Sequence, residues 1–154
     1  MAYLKILLPF NFTEHDNKAL DYAIRTYAGH EDAHITLYNA HTPAPDIDMR
    51  SDPVMERMRS HLDYLLKQIF DQETALQKAK EKLLQSGFSS DRVKYIFEPS
   101  KKDIAGDIID QVSKGNFDVV ILNRKPNKIT RFFTRSVLFK VVSTAKNVTV
   151  CVVN

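Results

Sequence analysis

The apolar positions along the chain change period several times, and the changes mark its elements. Tyr3–Phe10 (YLKILLPF) is nearly continuous in apolar residues, which predicts a strand buried on both faces. Behind it, Thr13-Glu-His-Asp16 has the form of a capping box, although Glu or Gln is the usual last residue. Ala19, Leu20, Ala23, Ile24 and Tyr27 then recur at helical spacing, so 14–28 reads as an amphipathic helix. Ala33–Ala40 (AHITLYNA) reads as a second strand, and the Pro- and Asp-rich stretch 41–53 as a loop.

A long helical stripe follows, through Met55, Met58, Leu62, Leu65, Leu66, Ile69, Leu76, Ala79, Leu83 and Leu84, with Gly87 placed to stop it. A Met/Leu stripe of this kind is expected to be core. Val93–Phe97 reads as a third strand. Ile104, Ile108, Ile109 and Val112 give 103–112 a helical face, with Gly115 after its end. Phe117–Leu122 (FDVVIL) reads as a fourth buried strand, Phe132–Ala145 as a helix, and Asn147–Val153 as the last strand. Five strands alternating with four helices predict an α/β fold. The expected form is a doubly wound, mainly parallel Rossmann-like sheet with right-handed crossovers and helices on both faces. No repeat or long linker divides the chain, so 1–154 is expected to form one domain.

Composition narrows the setting. With 44% hydrophobic and 27% charged residues, four Gly and six Pro, the chain is neither disordered nor low-complexity. One cysteine, Cys151, excludes an internal disulfide framework and any multi-cysteine metal site. No apolar run approaches the ~20 residues of a membrane helix, and MAYLKILLPF lacks the form of a secretory leader, so a cytoplasmic protein is expected. The net charge of +3 is unevenly spread: all nineteen acidic residues lie at or before Asp118. Beyond it come only cations: Arg124, Lys125, Lys128, Arg131, Arg135, Lys140 and Lys146. The ordinary reading is a solvated basic face balanced by acids elsewhere in the fold; the alternative is an anionic ligand or partner.

In open parallel sheets, ligands bind outside the carboxyl ends of the strands, near the point where strand order reverses. The segments to inspect are therefore Pro9–Thr13, Asn39–Thr42 and Leu122–Ser136. None holds a Walker A loop or a GxGxxG turn, and the chain has no C-x-x-C pair, H-E-x-x-H helix or G-x-S-x-G elbow. His15, His30, His34, His41 and His61 show no metal-ligand spacing. Cys151 sits among valines, where a buried, inert thiol is expected. No aromatic run lies on a basic strand surface, so nucleic-acid binding is not expected. No catalytic residue, metal or cofactor is predicted.

The order of elements, with ILLPFNFTEHDNKALDYAI at the start and VVILNRKPNKITRFFTRSVLFKVVSTAKNVTVCVV at the end, resembles the universal stress protein family over essentially the whole chain. The more specific pieces are the Pro-x-x-Phe-Thr-Glu turn, the Leu-Tyr-Asn-Ala strand end, the Ser136-Val137 helix start and the closing Val-Thr-Val-x-Val-Val strand. The resemblance implies a fold like that of the adenine nucleotide alpha hydrolases. One branch of the family binds ATP through an Asp after the first strand and a G-x2-G-x9-G-[ST] loop after the fourth; another lacks the glycines and does not bind ATP detectably. Aligned on Ser136, the glycine positions fall on Leu122, Lys125 and Arg135, and the Asp position on Asn11. Ala40 and Val137 complete the implied nucleotide pocket.

These replacements have physical consequences. Glycines let a backbone approach phosphate and take positive φ, which Lys125 and Arg135 would adopt only with strain. Leu122 adds bulk, Pro126 removes an N–H donor, and Asn11 lacks a carboxylate's charge. The usual ATP mode is expected to be lost. A rival reading takes Arg124, Lys125, Lys128 and Arg135 as four cations around an altered anion site; in a third, Lys125 or Arg135 fills the phosphate position and closes it. In the last strand, Val148, Val150 and Val152 share one face, and an edge this apolar is hazardous if left free. In the resembling family that strand pairs with its twin. The expectation is a non-enzymatic, homodimeric regulatory module with an unidentified protein partner. The alternative is a nucleotide or anion sensor with slow ATP hydrolysis.

Overall fold

The computed structural model describes residues 2–44, 53–124 and 131–154, and for 14, 53–55 and 131–136 the backbone alone. The chain runs β1 (Leu4–Pro9), α1 (Glu14–Tyr27), β2 (Ala33–His41), α2 (Pro53–Gln85), β3 (Val93–Pro99), α3 (Ile104–Gly115), β4 (Val119–Asn123), α4 (Arg131–Thr144) and β5 (Thr149–Val153). A single 3-10 turn, Ser90–Arg92, leads into β3. The strands form one sheet in the order β3-β2-β1-β4-β5, and every pairing is parallel.

Alternating strand residues feed two cores. Ile6, Leu8, Ile35, Leu37 and Ile121 face Leu20 and Ala23 of α1 and Leu76 and Leu83 of α2. Leu7, Tyr38, Val120 and Leu122 face Ile108 and Val112 of α3 and Val141 of α4. From β1 the chain steps outward to β2 and β3, then returns past β1 to β4 and β5. With right-handed crossovers, that reversal puts α1 and α2 on one face and α3 and α4 on the other. The loops after β1 and β4 therefore part in opposite directions, which opens a crevice between their carboxyl ends.

The predicted doubly wound sheet is present with all nine elements, and several of their ends differ. Helix α3 runs through Gly115 and closes on Asn116, which takes the left-handed conformation at φ 50°. Gly115 is required for room instead: a Cβ there would lie 2.3 Å from the Phe117 ring. The last strand begins at Thr149 because Asn147 turns at φ 56°. Gly87 does stop α2, at φ 112°. The larger difference is in α2, whose stripe is core only in its last turns. Leu76, Ala79 and Leu83 are buried, Leu62, Leu65 and Ile69 are half-buried, and Met58 and Leu66 are exposed. The side chain of Met55 and residues 45–52 of the predicted loop lie outside the described residues.

Among the described residues, no helix is long and apolar enough to cross a membrane.

Candidate functional site

A cleft of about 560 Å³ opens at the carboxyl end of the sheet. The three segments singled out from sequence converge there, contributing Asn11–Thr13, Asn39–Thr42, and Leu122 with Asn123. Val137 and Leu138 of α4 close one side. A fourth segment, Ser100 and Lys102–Ile104 after β3, also lines the cleft, as does Gln72 of α2. Sequence reasoning missed these because β3 lies two strands from the switch point and Gln72 is a polar break in an apolar stripe.

Beneath the cleft, the two diverging loops are fastened by one carboxylate. Asp16, 1% exposed, accepts the Thr13 N–H at 2.6 Å and the Asn11 N–H at 3.1 Å. Its other oxygen accepts the Asn123 Nδ2 at 2.6 Å, joining α1 to the end of β4. The predicted capping residue thus also bridges the switch point. Between these anchors Phe12 takes φ 62°, an uncommon conformation for a bulky residue. Its ring packs edge-on against Phe10 at 5.5 Å and onto the core beneath, which offsets the backbone cost.

The remaining acids around the cleft are similarly engaged. Asp107, buried in α3, accepts the Ser100 hydroxyl and the N–H groups of Lys101 and Lys102, fixing the loop after β3. Asp103 caps α3 by accepting the Gly106 N–H at 2.7 Å and pairs with Lys140 of α4 at 2.9 Å. The Lys140 hydrogen bond, followed by that from Gly106, holds the Asp103 carboxyl below its usual range. One of the basic residues beyond Asp118 is thereby balanced by an acid from elsewhere, as the ordinary reading expects. Burial first, then the Glu98 and Asp107 charges, push the Tyr38 phenol far above its ordinary value, so Tyr38 stays a neutral donor toward the Asp107 carbonyl.

Among the described residues, two buried side-chain polar atoms are left without a partner, Nδ1 of His15 on α1 and Oδ1 of Asn39 at the cleft. Asn39, 9% exposed, donates through Nδ2 to the Phe10 carbonyl at 2.8 Å, while its buried Oδ1 has no partner among the described residues. A buried acceptor of this kind suits a ligand N–H or an ordered water.

Of the implied pocket residues, Asn11, Ala40, Leu122 and Val137 line the cleft. Leu122 is 6% exposed and belongs to the core against α3 and α4, so its bulk is structural. Arg124 is exposed and fixed through its backbone N–H to the Val153 carbonyl at 2.9 Å. Lys125, Pro126 and Lys128 lie outside the described residues; Arg135 and Ser136 stand in the first turns of α4, where the backbone alone is described. Val148 and Val150 pack toward the α3–α4 core, while Cys151 and Val153 pack toward the other, so the predicted alternation of the last strand is present. Cys151 is half-buried, and Val152 is 41% exposed. Among the described residues, no cluster of His, Cys, Asp or Glu could hold a metal ion.

Comparison with known proteins agrees with this geometry. No curated protein matches the chain. Among solved structures, a universal stress protein from Archaeoglobus fulgidus, in complex with dAMP, is similar at TM-score 0.65 and 14% identity, covering 100% of both chains. A universal stress protein in complex with cAMP superposes at TM-score 0.65 and 14% identity, covering 100% of this chain and 98% of that one. The universal stress protein UspA from Lactobacillus plantarum gives TM-score 0.64 and 18% identity, covering 100% of this chain and 99% of that one. These likenesses show the fold. The model of the universal stress protein family matches residues 2–153, so the chain belongs to that family.

Proposed function

We propose that this chain is a non-enzymatic, homodimeric regulatory module of the universal stress protein family that has given up the glycine-loop mode of ATP binding. The observation that carries the reading is the state of the acids at the cleft. Asp16 and Asp107 are buried and bonded to groups of the chain itself, and Asp103 is engaged by the Gly106 N–H and Lys140, so each would have to give up such bonds to hold a divalent cation or position a hydrolytic water. Asn11, Leu122, Lys125 and Arg135 at the motif positions support the same conclusion from the side of the phosphate cradle. The free edge of β5, with Val152 exposed, supports pairing of the last strand with its twin. A single free cysteine and a highly charged composition suit the cytoplasm.

A second reading has its own observation. The cleft is open, and the unpartnered Asn39 Oδ1 at its wall suits a small ligand that offers an N–H. The dAMP and cAMP in complex with two of the similar proteins make a mononucleotide the natural class. It would be held by its base and sugar along the cleft wall.

Acid release from protein purified without added nucleotide, followed by mass spectrometry, separates the two. An empty preparation supports the module without a resident ligand, and a stoichiometric mononucleotide supports the second reading. Stoichiometric ATP with steady phosphate release on incubation contradicts both. For the dimer, Val152→Asp halves the mass seen by light scattering if β5 pairs with its twin; an unchanged mass removes that interface.

A further inference from the structure

Just past β1 the chain is held from three sides. The Phe10 N–H donates to the Tyr38 carbonyl at 2.8 Å, and the Asn11 N–H to the buried Asp16 carboxylate at 3.1 Å. The Phe10 carbonyl accepts Asn39 Nδ2 at 2.8 Å. A carbonyl oxygen can only accept, so the Asn39 amide cannot turn round without setting two acceptors against each other. Its Oδ1 is therefore an acceptor fixed in direction, buried, and without a partner among the described residues. The two walls of the cleft differ. On β2, Leu37 packs toward α1 and α2, and Tyr38 toward α3 and α4. By strand alternation Asn39 stands on the first side and Ala40 on the second. On that second side Ala40, Ile108, Leu122 and Val137 carry no hydrogen-bonding side-chain atom, so they can take the flat face of a ring but cannot read its edge. Gln72 and His41 also line the cleft and are only half-buried, with water in reach.

We propose that Asn39 is the specificity-determining residue of the cleft. Its Oδ1 accepts an N–H from the edge of a ligand ring, and so selects a base with an exocyclic amino group over the same base without one. The inference rests on the mononucleotide reading above and names the part of the ligand that is read. A ring with an amino group supplies the donor that the chain itself does not. A ring with hydrogen in that place covers the acceptor, keeps water from it and leaves it unpaired. The selection is built in before any ligand arrives, because the bonds to Tyr38, Asp16 and Asn39 fix the Phe10 carbonyl, and that carbonyl fixes the amide.

Calorimetric titration of the full-length, nucleotide-free protein tests this with two ligands. One is AMP; the other is purine riboside 5′-monophosphate, which is AMP with hydrogen in place of the amino group. AMP is expected to bind about tenfold more tightly. Asn39→Leu, close in shape and without the acceptor, should bring the ratio of the two dissociation constants to about one. A merely structural role for Asn39 would weaken both ligands and keep the ratio, which overturns the proposal. Equal affinities in the unaltered chain overturn it too, and that comparison needs no variant, so it holds even if Asn39→Leu does not fold. In that case the mononucleotide reading stands without Asn39 as its selector. If neither ligand binds at millimolar concentration, the reading fails and the proposal with it.

Discussion

The corner around Asp16 and the first nineteen residues of α2, the arm 53–71, differ in how far their groups are satisfied. At the corner, a buried carboxylate meets two backbone N–H groups and the Asn123 amide. On the arm, a regular apolar seam continues into solvent, with Met58 and Leu66 exposed. Groups satisfied within the fold hold it together and have little left for a ligand. Groups left unsatisfied, the arm and the Asn39 Oδ1, are where a partner or ligand is to be sought.

The largest effect expected from this contrast lies within α2 itself. Leu76→Ala, in the buried end, should cost about 2–5 kcal/mol in urea unfolding. Leu66→Ala, on the arm, should change the stability of the dilute monomer by less than about 0.5 kcal/mol. Equal costs would mean that the arm is packed within its own chain. Next, Asp16→Ala removes the acceptor of four hydrogen bonds at once, and about 2–4 kcal/mol should be lost. A loss below ~0.5 kcal/mol would show that the corner is not the fastening described.

A smaller effect concerns Phe12. At φ 62° glycine is at ease and alanine is not, so Phe12→Gly should be more stable than Phe12→Ala by about 1 kcal/mol. The opposite order would mean that the loop is not held in the left-handed conformation. The smallest effect is acid sensitivity at the Asp103–Lys140 pair. The Asp103 carboxyl lies below 3.8 in the fold, so the unfolded chain binds its proton first as pH falls. The contribution of the pair is therefore present above the unfolded carboxyl range and is lost on acidification through the folded value. Lys140→Ala should remove that part of the pH dependence by lowering stability at neutral pH by the same small amount and leaving it unchanged in acid, as thermal melts at several pH values would report.

Much of the fold was legible in the chain because its signals are local. Continuous apolar runs marked strands buried on both faces, and the switch of period marked each helix. Where room decided the outcome, the local signal misled. Gly115 read as a residue beyond the helix, yet its place is set by the Phe117 ring, and Asn116 supplies the turn. The periodicity of α2 identified its apolar face and could not say what covers it, since coverage depends on where the sheet ends.

The site was half legible for the same reason. The switch-point rule brought forward the ends of β1, β2 and β4, all of which line the cleft. Asp16 read only as a capping residue, because its bond to Asn123 spans 107 positions of sequence. The Asn39 acceptor is conspicuous only once its other partners are accounted for. Leu122 read as an obstacle in a pocket and is a core residue as well, so restoring glycine there would damage the core before it rebuilt a phosphate loop.

Calorimetric titration of the native, nucleotide-free protein with magnesium and ATP tests the central claim most directly. The account predicts no saturable heat at micromolar ATP, whether or not the cleft accepts a mononucleotide in a parallel titration. One ATP bound per chain with micromolar affinity would contradict it, and would return the loop after β4 to the centre of the protein's function.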